Sequence, residues 1–584
     1  MISEKKLSHY INKSKALDNS KLEKKIRVAL LASFTINGLE EVLKVKCAEK
    51  NIDCVTYLGG YNQYNQDILD RESNLYKFSP DITFLVLDTR TILGNIFHFP
   101  YSLSTSQRKD FIDKKAQELL NLVETFISKS KSKLIMTNLS IPAYSSYGIF
   151  ETKVEYGFKN MIQDLNSRLN GAFTMMDSAY MYDFNGFILK YGESNIFDYK
   201  QFFFGDLKIS LDHIPYLAND FLSYIIAVLG LSKKCVVVDL DNTLWGGVVG
   251  EDGFNEIKLG LEPPGNAYVE FQRNLLSLYQ RGIILAVNSK NNAEDALKVI
   301  REHPHMVLRE ENFACLKINW NDKVSNMEEI SEELNIGLDS MVFFDDDPVS
   351  REFMKINLPQ VTTIDLPKDP SYYSNVLQEM NEFNVLRITK EDAKRGQMYM
   401  QQRQRKELEH STPDLESFLR QLDVRISIKG ADKFTIPRIS QLTLKTNQFN
   451  LTTKRYQEED IQNLSQDKTI LVGCAQVEDK FGDNGITGAF IIRKNDPKEW
   501  TIDTFLLSCR VMGREVEKGI LGHILNKAKK NGVEKIKAQF IPSKKNKPIE
   551  NFLPSCGFKK DAEYWIYSFD SKFRIPDYIT VSEE

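Results

Sequence analysis

The stretch KCVVVDLDNTLWGGVVGEDG, residues 234–253, decides how the middle of this chain folds. Cys235 to Val238 is an unbroken apolar run of strand length, closed by Asp239. A short apolar run without alternation marks a strand buried on both faces, as in a parallel sheet. Asp239 and Asp241 leave its carboxyl end two residues apart. In an open α/β sheet that end is where ligands bind. Two carboxylates there, with a backbone carbonyl, make a hard-oxygen site suited to Mg2+ and a substrate phosphate.

Outward from this stretch, strand patterns at 283–288, 306–308 and 341–344 alternate with helical patterns at 268–281, 293–301 and 322–334. That alternation predicts a second parallel sheet element by element. Ser289, Lys290 and Asn291 follow one strand and open a helix, a position suited to a phosphate oxygen. Lys323 starts another helix and is placed to neutralise phosphate charge. Asp345 and Asp346 end the strand 341–344 and add acidic metal ligands. Asn242 and Thr243, in the turn after the aspartate pair, join Ser289, Lys290 and Lys323 as candidate phosphate-binding residues. A lone Asp-x-Asp is commonly a solvated turn, and a lone lysine at a helix start a surface charge. The ordered set acid, hydroxyl, lysine, acid over about 110 residues is far more specific.

The first 225 residues also alternate, with strand patterns at 26–34, 53–58, 82–87, 134–137 and 172–176 and a long helix over 110–130. A closing helix fits 221–229. A charged, Gln-rich helix is expected over 390–409 and another over 412–422. The last block differs in texture: strands at 470–478, 486–493, 500–508 and 535–541, with a helix over 516–530, predict a mixed sheet.

Length agrees with several such units: 584 residues exceed a single core. With 76 Lys+Arg against 80 Asp+Glu, the formal charge of -4 excludes a strongly basic nucleic-acid binder and an acidic disordered chain. Seven cysteines, an odd number in so long a chain, do not form a disulfide framework and fit a reducing, cytoplasmic compartment. The polar N-terminus lacks a signal-peptide core, and no run reaches the ~20 apolar residues of a membrane span.

The ordered set resembles the haloacid dehalogenase (HAD) superfamily of phosphotransferases. The segment 234–253, with NSKNN (288–292), INWNDK (318–323) and FDDDP (344–348), resembles more closely the FkbH-like subfamily, as do KTNQFNLTT (445–453) and LSCRVMGR (507–514). The resemblance implies that Asp239 is a nucleophile forming an aspartyl-phosphate and that Asp241 is its general acid and base. It implies that Ser289 and Lys323 hold the phosphoryl group. It implies Mg2+ on Asp239, Asp241, Asp345 and Asp346. No insertion reads as a cap domain, and the glycine-rich loop 245–262 is of a size to act as a small flap.

Arg510-x-x-Gly513 resembles the pyrophosphate loop of the GNAT acyltransferase fold, which makes Arg510 and Arg514 further candidates for binding phosphate. Glu515 stands where that loop has a small residue. Cys509, beside Arg510 and just before a helix, is the thiol best placed for reactivity. Cys235 reads as core; Cys47, Cys54, Cys315, Cys474 and Cys556 are weaker candidates. The first block resembles the SGNH hydrolases, with Ser33 at a strand end. Asn138 is a candidate partner there, but His213 has no aspartate three residues before it. Scaffolding or docking of a carrier protein is the stronger expectation for that block.

The expected architecture is thus α/β in three domains: SGNH-like over 1–230, HAD over 231–388, and linker helices with a GNAT-like α+β domain over 389–584. The family resemblance implies glyceryl transfer. The glyceryl unit of 1,3-bisphosphoglycerate would pass to an enzyme thiol, Cys509, lose its phosphate at the aspartate site, and load the phosphopantetheine of an acyl carrier protein, as in polyketide or other secondary-metabolite biosynthesis. A stand-alone phosphatase on a small phosphomonoester and a scaffold with a vestigial site stay open. The basic run 544–547 is a candidate dock for an acidic carrier. Neither nucleic acid nor membrane is expected as a partner.

Overall fold

The computed structural model describes residues 4–389, 392, 395, 396, 398, 399, 401, 405, 408, 411–570 and 573–584, with only the backbone of Asn495. Most of the helix expected over 390–409 therefore lies outside the described residues. The chain divides into two compact units, residues 1–228 and 229–584. The expected boundary at 230 falls two residues from this division, and the two later expected domains lie together in the second unit.

The first unit is built on strands β1 (Lys24–Ala32), β2 (Ile52–Leu58), β3 (Ile82–Val86), β4 (Lys133–Thr137) and β5 (Ala179–Tyr182). They run parallel in the order β2-β1-β3-β4-β5. The strand expected over 172–176 is absent. Ala172 and Phe173 finish the helix Phe158–Phe173 and 174–176 turn away from it; the helix buries Met161, Ile162, Leu165 and Leu169 on one face at helical spacing. The helix Thr105–Lys129 starts at a reciprocal cap, Ser104 with Gln107, and lays Ile112, Leu119, Val123 and Phe126 on the same core.

The second unit holds two sheets. In the first, β6 (Cys235–Val238), β7 (Ile284–Ser289), β8 (Phe313–Ile318), β9 (Met341–Asp345) and β10 (Thr362–Asp365) run parallel in the order β10-β9-β6-β7-β8. All four β6 residues are buried, as the unalternating run requires. The strand expected over 306–308 is a loop just after Pro304. The edge strand is Phe313–Ile318, whose polar Lys317 pairs with Glu329 and hides the apolar signal.

The other sheet has nine strands, eight in its main path and one pairing off it. They are β11 (Val424–Gly430), β12 (Phe449–Asn450), β13 (Ile470–Asp479), β14 (Gly482–Asp496), β15 (Glu499–Leu507), β16 (Lys535–Ala538), β17 (Lys559–Asp561), β18 (Tyr564–Ser568) and β19 (Ile579–Glu583). The order is β17-β18-β16-β15-β14-β13-β11-β19, with β12 pairing β15. Most pairs are antiparallel, but β15–β16 and β11–β19 are parallel, so the sheet is mixed as expected. The helix Val516–Lys530 packs Ile520, Leu521 and Ile524 on it. The helix expected over 412–422 begins at Leu415, capped by the Asp414 carboxylate.

Candidate active site

Because β6, β7 and β9 are parallel neighbours, their carboxyl ends bring Asp239, Ser289 and Asp345 to one edge. The Lys323 amine lies 3.1 Å from one Asp239 oxygen and 2.6 Å from Asp345 Oδ2. All three side chains are buried. Burial works against the Lys323 charge, but the two carboxylates outweigh it and raise its pKa. Burial and the neighbouring Asp239 push the Asp345 carboxyl well up and the Asp346 carboxyl up to about 6. Three carboxylates against one lysine therefore leave excess negative charge in a largely buried site.

Oxygens of Asp239, Asp345 and Asp346 lie within 4.8 Å of one another. Asp239 Oδ1 is buried and has no hydrogen-bond partner. An orphaned carboxylate oxygen in an all-oxygen cluster fits a hard divalent cation.

Asp241 departs from the expectation that its carboxylate is a fourth metal ligand. Its Oδ1 accepts from the Trp245 indole N–H at 2.8 Å and the Val249 amide at 3.1 Å, and its Oδ2 from the Asn291 amide at 2.8 Å. Those donors hold it away from the cluster. Burial still raises its pKa, which suits a carboxyl that must carry a proton.

Thr243 is buried, with its hydroxyl 3.4 Å from Asp346 Oδ1. Asn242 adopts φ 55° and accepts the Gly247 amide, so it shapes the turn. Ser289 is buried at the end of β7, whereas Lys290 is exposed. The loop expected as a flap is pinned: Gly246 and Lys258 exchange backbone bonds and Trp245 is fully buried.

Three supports escaped the sequence reading. Arg351 donates to the Asp345 and Asp346 carbonyls at 2.8 and 2.6 Å, fixing the acidic turn. Asn288 donates to the Lys323 carbonyl at 2.8 Å, and the Tyr373 hydroxyl to that of Asn242 at 3.2 Å. Arg351 had one legible signal, a cation one helical turn after the acidic run.

The thiol lies elsewhere. Asn335, just past the helix Lys323–Leu334, donates to the Cys509 carbonyl at 3.1 Å. A helix of 12 residues spans ~18 Å at 1.5 Å per residue, so Cys509 sits at the opposite end of this sheet from Lys323. It is the one cysteine of seven that is not buried. It opens a short 3-10 turn, and the next helix starts only at Val516. Arg514 is buried and bonded to Asp479 at 3.0 Å and the Arg510 carbonyl at 2.6 Å. That correction removes Arg514 as a phosphate ligand, because its guanidinium is spent inside the block. Arg510 is also buried, its Nε 3.4 Å from the Ser508 hydroxyl. In the basic run, Lys545 pairs with Asp339, and the buried Asn546 bonds the Asn450 and Ile541 carbonyls, so part of that run is structural.

In the first unit, Ser33 is buried and its hydroxyl accepts the Asp88 amide at 2.8 Å. Asn138 bonds Asp183, and His213 spends Nδ1 on the Ser210 hydroxyl at 2.8 Å. Nothing in these bonds joins the three into a triad.

A family model described as FkbH, N-terminal domain, matches residues 27–226. The chain is also similar to a solved structure, the N-terminal part of the protein BF1531 from Bacteroides fragilis, which contains a phosphatase domain and is complexed with Mg. The two are 32% identical over 65% of this chain and 99% of that one, with a TM-score of 0.60. The chain belongs to the FkbH-like family. Two acetyltransferase structures match this FkbH-like protein over less of its length. A putative GNAT-family enzyme from Desulfovibrio desulfuricans is 10% identical over 24% of this chain and 98% of that one, with a TM-score of 0.21. IAA acetyltransferase from Bacillus cereus is 20% identical over 24% and 79%, with a TM-score of 0.18. Scores this low carry no weight for the last block. No curated protein matches the chain. Among the described residues, no helix is long and apolar enough to cross a membrane.

Proposed function

We propose that this FkbH-like protein is a Mg2+-dependent phosphatase acting through Asp239. The observation that carries this reading is the buried, unpartnered Asp239 oxygen beside Lys323 and two further carboxylates. Mg2+ held by Asp239, Asp345 and Asp346 supplies positive charge that offsets the charge of the phosphoryl oxygens. Asp239 attacks phosphorus and becomes an aspartyl-phosphate while the leaving oxygen takes the Asp241 proton. Asp241 then removes a proton from the water that attacks the phosphorus. Lys323 and Ser289 hold the phosphoryl oxygens. The test is phosphate release from small phosphomonoesters. Asp239→Asn is expected to abolish it, and an unchanged rate in that variant would refute the reading.

The finer reading couples this site to glyceryl transfer. The Cys509 thiolate attacks the acyl carbon of 1,3-bisphosphoglycerate, a C–S bond forms, and the C–O bond to phosphate breaks with phosphate leaving. The remaining phosphate is removed at Asp239, and the glyceryl group passes by thioester exchange to the phosphopantetheine thiol of an acyl carrier protein. Support comes from the family and from Cys509 being the least buried thiol. Intact-mass detection of an acylated wild-type enzyme and its loss in Cys509→Ser test this step. The separation of Cys509 from Asp239 favours a second reading, a phosphatase acting alone. Full turnover of a free phosphomonoester by Cys509→Ser without any carrier identifies that case.

A further inference from the structure

The amino end of the β6 sheet carries a recess that the phosphatase chemistry does not use. Its lining includes Lys233, Lys234, Arg281, Arg395 and Lys445, five cations, against one carboxylate, Asp392. The recess is narrow inside, about 20 Å3, and opens to solvent at its mouth. Lys234 immediately precedes β6, and Lys445 ends the helix Ile436–Lys445 of the last block, so both blocks of the second unit contribute to one site.

The single carboxylate is already engaged. Asp392 pairs with Arg395 and accepts from the Thr389 hydroxyl at 2.9 Å and from Gln441 at 2.5 Å. Arg395 also donates to the Gly282 carbonyl at 2.9 Å. Gly282 (φ +90°) permits that approach, since a Cβ there would collide with the Asp392 carbonyl oxygen. The amines of Lys234 and Lys445 make no hydrogen bond or ion pair among the described residues. Burial pushes the Lys445 amine well down, and Arg395, Lys234 and Arg438 add repulsion. Helix carbonyl ends offset only a fraction of a charge. Lys234, Arg395 and Lys445 are half-buried, and Asp339 adds a further carboxylate within electrostatic reach of Lys234. Half-buried cations crowded in this way are relieved by an anion with several acceptor oxygens.

The Cys509 thiol borders this site. It lies within electrostatic reach of Lys234, Arg395 and the Tyr399 hydroxyl.

We propose that the recess formed by Lys234, Arg395 and Lys445 binds a phosphate ester beside Cys509, as a site separate from the aspartate centre. Only its purpose, seating a donor or acceptor of the acyl group, rests on the transfer reading. Binding itself does not. A phosphorylated glycerate and the phosphate of a pantetheine arm share the required chemistry.

The experiment uses the full chain in EDTA, which removes metal from the aspartate centre. Inorganic phosphate, 3-phosphoglycerate and pantetheine 4′-phosphate are titrated by calorimetry, and Cys509 alkylation is followed by mass. Binding is expected in wild type, in Asp239→Asn and in Cys509→Ser alike. Lys445→Met is expected to weaken it at least tenfold and Lys445→Arg to restore it. Bound phosphate slows alkylation. Lys445→Met alone, without ligand, should melt no lower than wild type, because it removes repulsion. Equal binding in wild type and in Lys234→Met and Lys445→Met, or binding lost in Asp239→Asn, overturns the site. Tighter 3-phosphoglycerate identifies the small substrate as occupant, and tighter pantetheine 4′-phosphate identifies the carrier arm. Binding retained in a Cys509→Ser protein, whose wild type never acylates, would refute the transfer reading and leave the recess standing.

Discussion

The two ends of the β6 sheet solve opposite electrostatic problems. At the carboxyl end, carboxylates of Asp239, Asp345 and Asp346 crowd around one lysine and lack positive charge. At the amino end, Lys234, Arg395 and Lys445 have near them Asp392, already paired with Arg395, and Asp339, already paired with Lys545, and so lack negative charge. Lys234 and Asp239 stand five positions apart along β6 and its flanks, ~16 Å at ~3.3 Å per residue. Charge imbalance at each end is relieved by an ion of the missing sign, held among the carboxylates at one end and at the open mouth of the recess at the other. A cation completes the first and a phosphate the second, so one parallel sheet can keep a phosphoryl-transfer site and an anion site from neutralising each other.

The largest effect should come from Asp239→Asn, which removes the nucleophile. Phosphate release should fall by at least ~10^3-fold, measured as inorganic phosphate under saturating Mg2+. Phosphate binding at the amino end should not change, and a parallel loss there would erase the distinction between the ends.

Next in size is a pair of lysine variants with opposite signs. Lys323→Met leaves two buried carboxylates without their cation and should destabilise the metal-free protein by about 3 kcal/mol in urea unfolding. Lys445→Met removes a cation from like-charged neighbours and should stabilise by about 1 kcal/mol. If both destabilise equally, the amino end is balanced by partners of its own and the comparison fails.

Much of the carboxyl end was legible because each of its groups follows a strand in the sequence. Asp239, Ser289 and Asp345 are read from where apolar runs stop, and parallel pairing then dictates that they meet. The recess was not legible. Lys234, Arg395 and Lys445 come from three distant stretches, and only tertiary packing brings them together. Arg514 misled for the same reason: its partner Asp479 ends β13, far back in the chain, and nothing local marks that pair. Strand placement failed where periodicity was ambiguous. Residues 172–176 are largely apolar but end a helix and turn away from it, and β8 interrupts its apolar residues with Lys317. Asp241 was legible as a functional carboxylate but not as one fixed by Trp245, Val249 and Asn291, since those donors depend on how the 245–262 loop folds back.

A smaller effect separates the ends by pH. In EDTA, the raised pKa values of Asp345 and Asp346 mean that the folded state binds more protons than the unfolded one from about pH 4 up to the folded values. Stability from this end should therefore fall as pH rises through that window, and Mg2+ should reverse the fall. Lys445 has the opposite linkage. Its lowered pKa means that the unfolded state holds the extra proton, so stability rises as pH climbs toward the unfolded lysine value. Urea midpoints across pH in wild type, Asp346→Asn and Lys445→Met read the two slopes separately. Identical slopes in all three would show that neither cluster governs the linkage.

The smallest predicted effects sharpen the carboxyl end itself, at adjacent residues. Asn291 donates 2.8 Å to Asp241 Oδ2 and so favours the ionised carboxyl, while exposed Lys290 has no bond to the cluster. Asn291→Ala removes one of three donors to Asp241. The Asp241 pKa should rise further, and the rate–pH profile should shift toward higher pH, with phosphate release changed by about tenfold or less, the worth of one hydrogen bond to a charged group. Lys290→Ala should leave both rate and profile within about twofold, as an exposed charge contributes little. If Lys290→Ala instead raises KM for the phosphomonoester while Asn291→Ala does nothing, then the exposed lysine reaches substrate phosphate. The carboxyl end would then recruit a second cation once phosphate is bound.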